Sequence, residues 1–374
     1  MMEFTANKSA IEAGLYKAQG VVDKKSTVNI LSHVLIESLS ATEIRFTCTD
    51  YDVVLTGTYP AEVTQPGKMA VNAKNLYEVV RMLPDAPVQL SRMDNHWAEL
   101  RCGSSKFKLM GLPPDDFPEQ RPLEELSWFT VSKRVLLDLI ERTLFSVSHD
   151  ETRPSLNGVF FRAVRDGDDV RLLMVSTDGH RLSKSEGLGS DPGLLQGGAE
   201  AILHHKAVSE LKRCLEGPST DVKIAFHRQN LCFLADEVML QVRKLDEAFP
   251  EYQKVIPKSL VKGIDFDRAE LTAAVRRIAT LTSAKTNIIR LEIKPGRLVL
   301  WSANPDAGEG RDEIAIDYEG EELVVGFNYK YLLDVLGVIH GEKIVLSIND
   351  QYSPGLLTSP DDEGSLFVIM PMRL

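Results

Sequence analysis

FTANKSAIEAGLYKAQGVV (4–22), FTVSKRVLLDLIERTLFSVS (129–148) and FDRAELTAAVRRIATLTSAK (266–285) are three versions of one segment, and their spacing decides the fold. Each opens on a phenylalanine and continues with apolar residues at helical intervals, such as Leu136, Leu137, Ile140 and Leu144 in the second and Leu271, Val275 and Ile278 in the third. Thr5 or Asn7, Ser132 and Asp267 stand where an N-cap would accept a backbone N–H. A second trio follows in the same order: NAKNLYEVVRML (72–83), HHKAVSELKRCL (204–215) and NYKYLLDVLGVI (328–339), with Lys74, Lys206 and Lys330 at the same place in each. Alternating runs between and after these helices read as strands: 43–55, 170–185 and 297–316, then 106–110, 237–244 and 365–370. The order helix, strands, helix, strands therefore occurs three times. It predicts an α+β protein of three similar domains, 1–127, 128–258 and 259–374, each with two helices packed on antiparallel sheets. Linkers are expected at 113–127, where prolines and acids cluster, and at 250–263.

Bulk composition narrows the function classes. With 43% hydrophobic and 26% charged residues the chain reads as soluble and globular. Cys48, Cys102, Cys214 and Cys232 are scattered, with no CxxC pair, and read as small buried hydrophobes in a reducing compartment. The start MMEFTANKSAIEAG has no basic segment followed by an apolar run. No stretch approaches the roughly 18 apolar residues of a membrane span. A cytoplasmic protein is expected.

The net charge of -11 argues at first against nucleic acid, whose phosphates are met by lysine and arginine. The charges are segregated, however. Over the six predicted helices (4–25, 72–83, 130–148, 204–214, 267–285, 328–340) Lys and Arg outnumber Asp and Glu by 17 to 9, so the acidity lies in strands and loops. Exposed helices commonly carry lysine and arginine, which is the plain explanation. Coupled to a threefold repeat, the pattern also fits two surfaces of opposite sign, with helices turned toward an anionic partner.

Catalytic signatures are missing. The sequence has no GxxxxGK[ST], HExxH or GxSxG. Asp178 and His180 in TDGHRL (177–182) could be imagined as an acid–base pair sharing a strand face. Yet Thr49-Asp50 and Ser302-Ala303-Asn304 stand at the equivalent places of the other repeats without a histidine, so a strand-ending turn accounts better for the aspartate. His204-His205 opens a helix and has no third metal ligand nearby, and His149-Asp150 reads as a polar exit from one. No catalytic residue, metal or cofactor is expected.

The longer motifs are more specific. STDGHRLS (176–183), SLNG (155–158), FPEYQKVIP (249–257), GFNYKYLLDVL (326–336), VIMPMRL (368–374) and PPDDFPE (113–119) resemble the β subunit of bacterial DNA polymerase III, the sliding-clamp family, in order and across the whole chain. The resemblance implies a non-enzymatic, head-to-tail homodimer whose six domains form a ring around double-stranded DNA. Helices line the hole and sheets face outward. It also implies docking of the replicative polymerase, the clamp loader and repair proteins through a short extended motif. Sequence-independent contact with DNA needs only long cationic side chains at phosphates. Candidates are Lys25, Lys74, Lys133, Arg134, Arg153, Lys206, Lys212, Arg276 and Lys330, of which the resemblance implies Lys25 and Arg153 at DNA-contacting loops.

Carried over residue by residue, the resemblance implies a partner-peptide pocket lined by Leu156, Thr177, Gly179, His180, Arg181, Leu182, Pro250, Val255, Asn328, Tyr331, Val368, Met370, Pro371, Met372, Arg373 and Leu374. Adaptable methionines suit several partners. Taken alone, MPMRL would read as a last core strand with a frayed end. The chain departs from relatives at three places: Pro154-Ser155 replaces an aromatic pair, Lys254 stands for arginine and Thr286 for an aromatic ring. The implied subunit interface joins edge strands of the first and third domains around Phe107, Leu109 and Leu281, and Phe107-Lys108-Leu109 puts both apolar side chains on one strand face. Two rival readings are a monomeric peptide-binding scaffold, which leaves the helix charge unexplained, and a hydrolase, which leaves the repeat unexplained.

Overall fold

The computed structural model describes all residues except 1, 23–26, 121–122, 124–125, 190, 194, 196, 259–262 and 284–285. Six helices occupy the expected places: α1 Lys8–Val21, α2 Ala73–Met82, α3 Lys133–Thr143, α4 His205–Cys214, α5 Arg268–Ala279 and α6 Tyr329–Val338. Each follows directly on a strand whose last residue is the N-cap. Asn72, Asp267 and Asn328 accept the backbone N–H of Asn75, Glu270 and Lys330, and His204 accepts that of Lys206. Asn7 and Ser132 hold the N-cap position without a side-chain bond.

The opening phenylalanines of the repeat belong to those strands, not to the helices. Phe4, Phe129 and Phe266 are buried on Glu3–Asn7, Trp128–Ser132 and Ile264–Asp267, where burial alternates residue by residue. The period of two over these few residues was hidden by the longer helical pattern that follows. The three long strand runs are likewise hairpins: Glu43–Thr49 with Val53–Pro60, Asp169–Thr177 with Arg181–Gly189, and Arg297–Asn304 with Gly308–Ala315.

The strands form four sheets, and two of them run across the repeat boundaries. In the nine-stranded sheet Val53–Pro60 of the first repeat pairs antiparallel with Val238–Arg243 of the second. In the eight-stranded sheet Arg181–Gly189 of the second pairs with Ser365–Ile369 of the third. A five-stranded sheet ends on Ser105–Leu109, and a four-stranded sheet ends on Gly308–Ala315. The helices pack in one continuous row, α2 on α1, α1 on α4, α4 on α3, α3 on α6 and α6 on α5. Apolar side chains between row and sheets form the main cores, with Leu15, Phe46, Leu136 and Phe161 in one and Val275, Phe327 and Phe367 in another.

Candidate functional site

The sharpest site grows from the turn between Asp169–Thr177 and Arg181–Gly189. Asp178 Oδ1 accepts the N–H of His180 (2.9 Å) and of Arg181 (3.0 Å), while Gly179 takes φ +89°, a conformation that favours glycine. Thr177 Oγ1 receives Gly179 N (3.1 Å) and donates to Arg181 O (2.7 Å). The aspartate is thus a turn-former. The same turn recurs at Asp50, which accepts from Asp52 N (3.1 Å), and at Asn304, which accepts from Asp306 N (3.1 Å). Asp178 and His180 lie in the turn itself and do not share a strand face.

Arg181 fastens this turn to the third repeat. Its Nε donates to Asp178 (3.1 Å), Nη1 to Asp334 on α6 (2.5 Å) and Nη2 to Phe145 O (2.5 Å), and its guanidinium lies 4.3 Å from the Tyr331 ring centre. Leu182 pairs with Val368 across the sheet junction, and both are buried with Val175, Tyr252 and Leu356. Beyond the strand, Met370 N donates to His180 O (2.8 Å) and Met372 N to Gly326 O (2.8 Å). The tail is therefore pinned at alternate residues. A cavity of about 700 Å3 runs beside it, lined by Gly326, Tyr352 and Pro371 to Leu374 among others. Pro250 and Val255 border the cluster on an exposed turn, with Val255 44% exposed, and Leu156 lies in the short helix Pro154–Leu156. Arg153 beside that helix approaches Gly179, where an added Cβ would stand 3.2 Å from its Nη1. Lys254 pairs with Glu251.

Of the residues expected to line a pocket, the turn, Arg181 and the tail thus bring Thr177, Gly179, His180, Arg181, Leu182, Val368, Met370, Met372 and Tyr331 into one region of the surface. Asp334 and Phe145 were missed, because their role is contact with a guanidinium distant in sequence. Arg142 was missed for the same reason: it joins the second repeat to the third through Asp362 (3.2 Å), Ser365 (3.2 Å) and His340 (2.8 Å).

The basic candidates divide into two groups. Lys74, Arg134, Arg276 and Lys330 are exposed on the helices and have no ion-pair partner among the described residues. Others are engaged inside the protein. Lys206 binds Asp50 and Val21 O, Lys133 donates to Gly217 O (2.5 Å), Lys212 pairs with Glu141 (2.8 Å), and Arg153 lies 3.8 Å from Asp150. Lys25 lies outside the described residues.

The two sheet ends are chemically matched. On Ser105–Leu109, Phe107 is 38% exposed, while Leu109 packs partly against the core. On Gly308–Ala315, a Cβ at Gly310 would lie 3.3 Å from Leu281 and 3.5 Å from Ile278; Ile278 is buried, and the absent side chain leaves the half-buried Leu281 open on that side.

Three family models cover the chain: DNA polymerase III beta subunit, N-terminal domain (2–121), central domain (130–251) and C-terminal domain (253–373). The beta sliding clamp of Caulobacter vibrioides is 35% identical over 380 residues, covering 100% of both chains. That of Pseudomonas putida is 33% identical over 374 residues, again 100% of both. Among solved structures, the sliding clamp of Bartonella birtlesii bound to griselimycin superposes with a TM-score of 0.92 at 33% identity, covering 100% of each chain. The DNA polymerase sliding clamp of Bacillus subtilis superposes at 0.91 and 28% identity, covering 100% of this chain and 99% of that one. With three repeats, the helix row, the shared sheets and full-length likeness in agreement, the chain belongs to the DNA polymerase III β-subunit family, the sliding clamps.

Proposed function

We propose that two copies of the chain close head to tail into a ring of six domains, divided at 1–127, 128–258 and 259–374, that encircles duplex DNA and tethers the polymerase to it. The observation that carries this reading is a missing junction. Cys48, Ser176 and Ser302 hold the same place before the three hairpin turns, and their partners are Leu55, Ser183 and Gly310. Leu55 pairs with Leu240, and Ser183 with Phe367. Phe107 is the counterpart of Leu240, because Leu100 faces Phe107 as Phe233 faces Leu240. The third junction accordingly sets Phe107 of one copy opposite Gly310 of the other, over Leu281. Lys108 then faces Glu309. Lys106 faces Arg311, but each already has a carboxylate in its own subunit, Glu99 (2.8 Å) and Glu313 (3.2 Å).

In such a ring the six helices of each copy form the inner wall. Lys74, Arg134, Arg276 and Lys330 contribute long, unpaired cations for phosphates, with Lys25, Lys133, Arg153, Lys206 and Lys212 adding to the field. Retention then rests on closure and not on affinity, so the duplex slides. The Arg181-braced turn and the pinned tail form the partner-peptide pocket, whose occupants are the polymerase, the clamp loader and other motif-bearing proteins. The role requires no catalytic residue, metal or cofactor.

The test is retention. A ring of about twice 41.6 kDa, loaded on nicked circular DNA, should persist and should escape once the DNA is linearised. Equal retention on both forms would refute encirclement. For the pocket, Met372→Ala and His180→Ala should each weaken a polymerase-derived peptide by about 1–2 kcal/mol while dimer mass is unchanged.

A further inference from the structure

The junction between the first and second repeats copies the backbone frame of the partner-peptide pocket. Asp50 Oδ1 accepts from Asp52 N (3.1 Å) and Val53 N (2.7 Å), as Asp178 does from His180 and Arg181. Tyr51 takes φ +78°, close to Gly179. Arg243 N donates to Asp52 O (2.8 Å) and Leu245 N to Ile202 O (2.9 Å), which reproduces the pinning of Met370 and Met372. His204 caps α4 as Asn328 caps α6. The segment 243–247 therefore stands where 370–374 stands one repeat later.

The side chains differ, and the difference opens space. At the second junction the Arg181 guanidinium on the Tyr331 ring fills the corner. At the first, Val53 and Ala207 hold those two places, and a cavity of about 390 Å3 remains. Its apolar floor is Val53, Ala207, Val242, Leu245 and Pro154. Four carboxylates line it against three cations. Lys206 is consumed by Asp50 and Val21 O. Arg243 stands 3.9 Å from both Asp52 and Asp246, beyond hydrogen-bonding distance, and those carboxylates are 71% and 67% exposed. With Lys206 and Asp50 set aside as a pair, Asp52, Asp246 and Glu247 face Arg243 and Lys244, so the rim keeps a net negative charge.

We infer that this cavity is a second docking site, taking an extended segment of a partner protein that presents an aliphatic side chain next to a basic residue. The aliphatic group seats on Val53, Ala207 and Leu245, and the basic group meets Asp52 and Asp246. That the occupant is a peptide rests on the pocket reading above; the cavity and its charge do not. A small bound segment here would give a partner a second hold on the ring, with avidity set by the spacing of the two sites.

The test uses the full chain with methyl-labelled Ala, Val, Leu and Met, followed by NMR. The probes are acetyl-Gly-Leu-Lys-Leu-Gly-amide, its Glu-for-Lys counterpart and a polymerase-derived clamp-binding peptide. The lysine probe should saturate shifts at Val53, Ala207, Val242 and Leu245 with a Kd in the range of about 1 mM, and the glutamate probe should bind about tenfold more weakly. Ala207→Tyr, which restores the aromatic of the other junction, should abolish the response. Because that change could perturb α4, Asp246→Lys at the exposed rim is the second variant, and it should weaken the lysine probe about tenfold. No saturable shift at these methyls, equal binding of both probes, or a response surviving both variants would overturn the inference. Polymerase peptide shifting Leu182 and Met372 while the lysine probe leaves Val53 silent would sink this site alone. Failure of the polymerase peptide at Met372 would sink the pocket reading.

Discussion

Truncating Phe107 to alanine should break the ring without unfolding the subunit. In one copy the residue is 38% exposed on the last strand of its sheet, so its removal leaves most intrasubunit packing in place. A phenylalanine presents about 200 Å2, so roughly 75 Å2 is left to bury at the junction; at about 25 cal/mol per Å2 this is about 2 kcal/mol. The closed dimer has two such junctions, so the loss is about 4 kcal/mol, or roughly a thousandfold in the dimer dissociation constant. Uncovering Leu281 adds to that figure. The assay is mass photometry or sedimentation over a concentration series, with circular dichroism as the check on folding. Gly310→Val, which fills the hollow from the other side, should act in the same direction. A folded Phe107→Ala protein whose dimer constant moves less than about threefold would refute the register argument.

Arg181→Ala removes two hydrogen bonds within the second repeat and, with the Asp334 bond and the Tyr331 stack, its tie to the third; it should cost about 2–3 kcal/mol in denaturant unfolding, and Arg181→Lys should recover little of it. Reversing Lys74 and Arg276 to glutamate should flatten the salt dependence of loading on DNA while leaving the dimer mass and thermal midpoint unchanged, whereas Lys206→Glu should lower the midpoint because its partner Asp50 is internal. Burial lowers the pKa of His33, His204 and His205 below the ordinary 6.5, and for His204 the neighbouring His205 adds to the shift. The unfolded chain then binds protons that the folded chain refuses, so stability is full above pH 6.5 and falls as the pH drops below it. Unfolding midpoints from pH 8 to 5 check this, and His204→Asn, the residue found at the equivalent cap, should reduce the slope.

The repeat was legible because each copy spells its helices with local signals: an N-cap, apolar residues every three or four positions, and a lysine at 74, 206 and 330. The turn aspartates were legible too, since Asp50, Asp178 and Asn304 fall at one place and a side chain bonding its own backbone needs no distant partner. What stayed hidden depends on long-range pairing. Nothing near Val53 announces Val242 as its sheet neighbour, and nothing near Arg181 announces Asp334. Lys206 and Lys212 were named among the candidate cations for DNA, but a residue type alone cannot tell a free ammonium from one already bound to Asp50 or Glu141.

One backbone arrangement thus meets three different demands, and the side chains at two positions tell them apart. A strand edge following an Asx turn pairs with the last strand of the neighbouring repeat at the two junctions within the chain, and the proposed ring extends the same arrangement to a third. Where Arg181 and Tyr331 fill the corner, the junction is locked, and the proposed pocket then lies along the methionine tail. Where Val53 and Ala207 stand, the junction is held instead by the Lys206 to Asp50 pair, and the corner is vacant. Where Gly308 and Gly310 stand, the edge strand has no further strand beside it among the described residues. Steric emptiness at Gly310 leaves Leu281 partly exposed in a lone subunit, and it becomes favourable only when a ring such as that of Phe107 arrives from outside. In the proposed ring, the same glycine that leaves Leu281 open would contribute to the driving force for closure. Gly310→Val is the informative change: it should stabilise the isolated subunit against unfolding by covering Leu281, and at the same time raise the dimer dissociation constant. Stabilisation without loss of dimer, or loss of both together, would show that the hollow is not the seat of the aromatic ring.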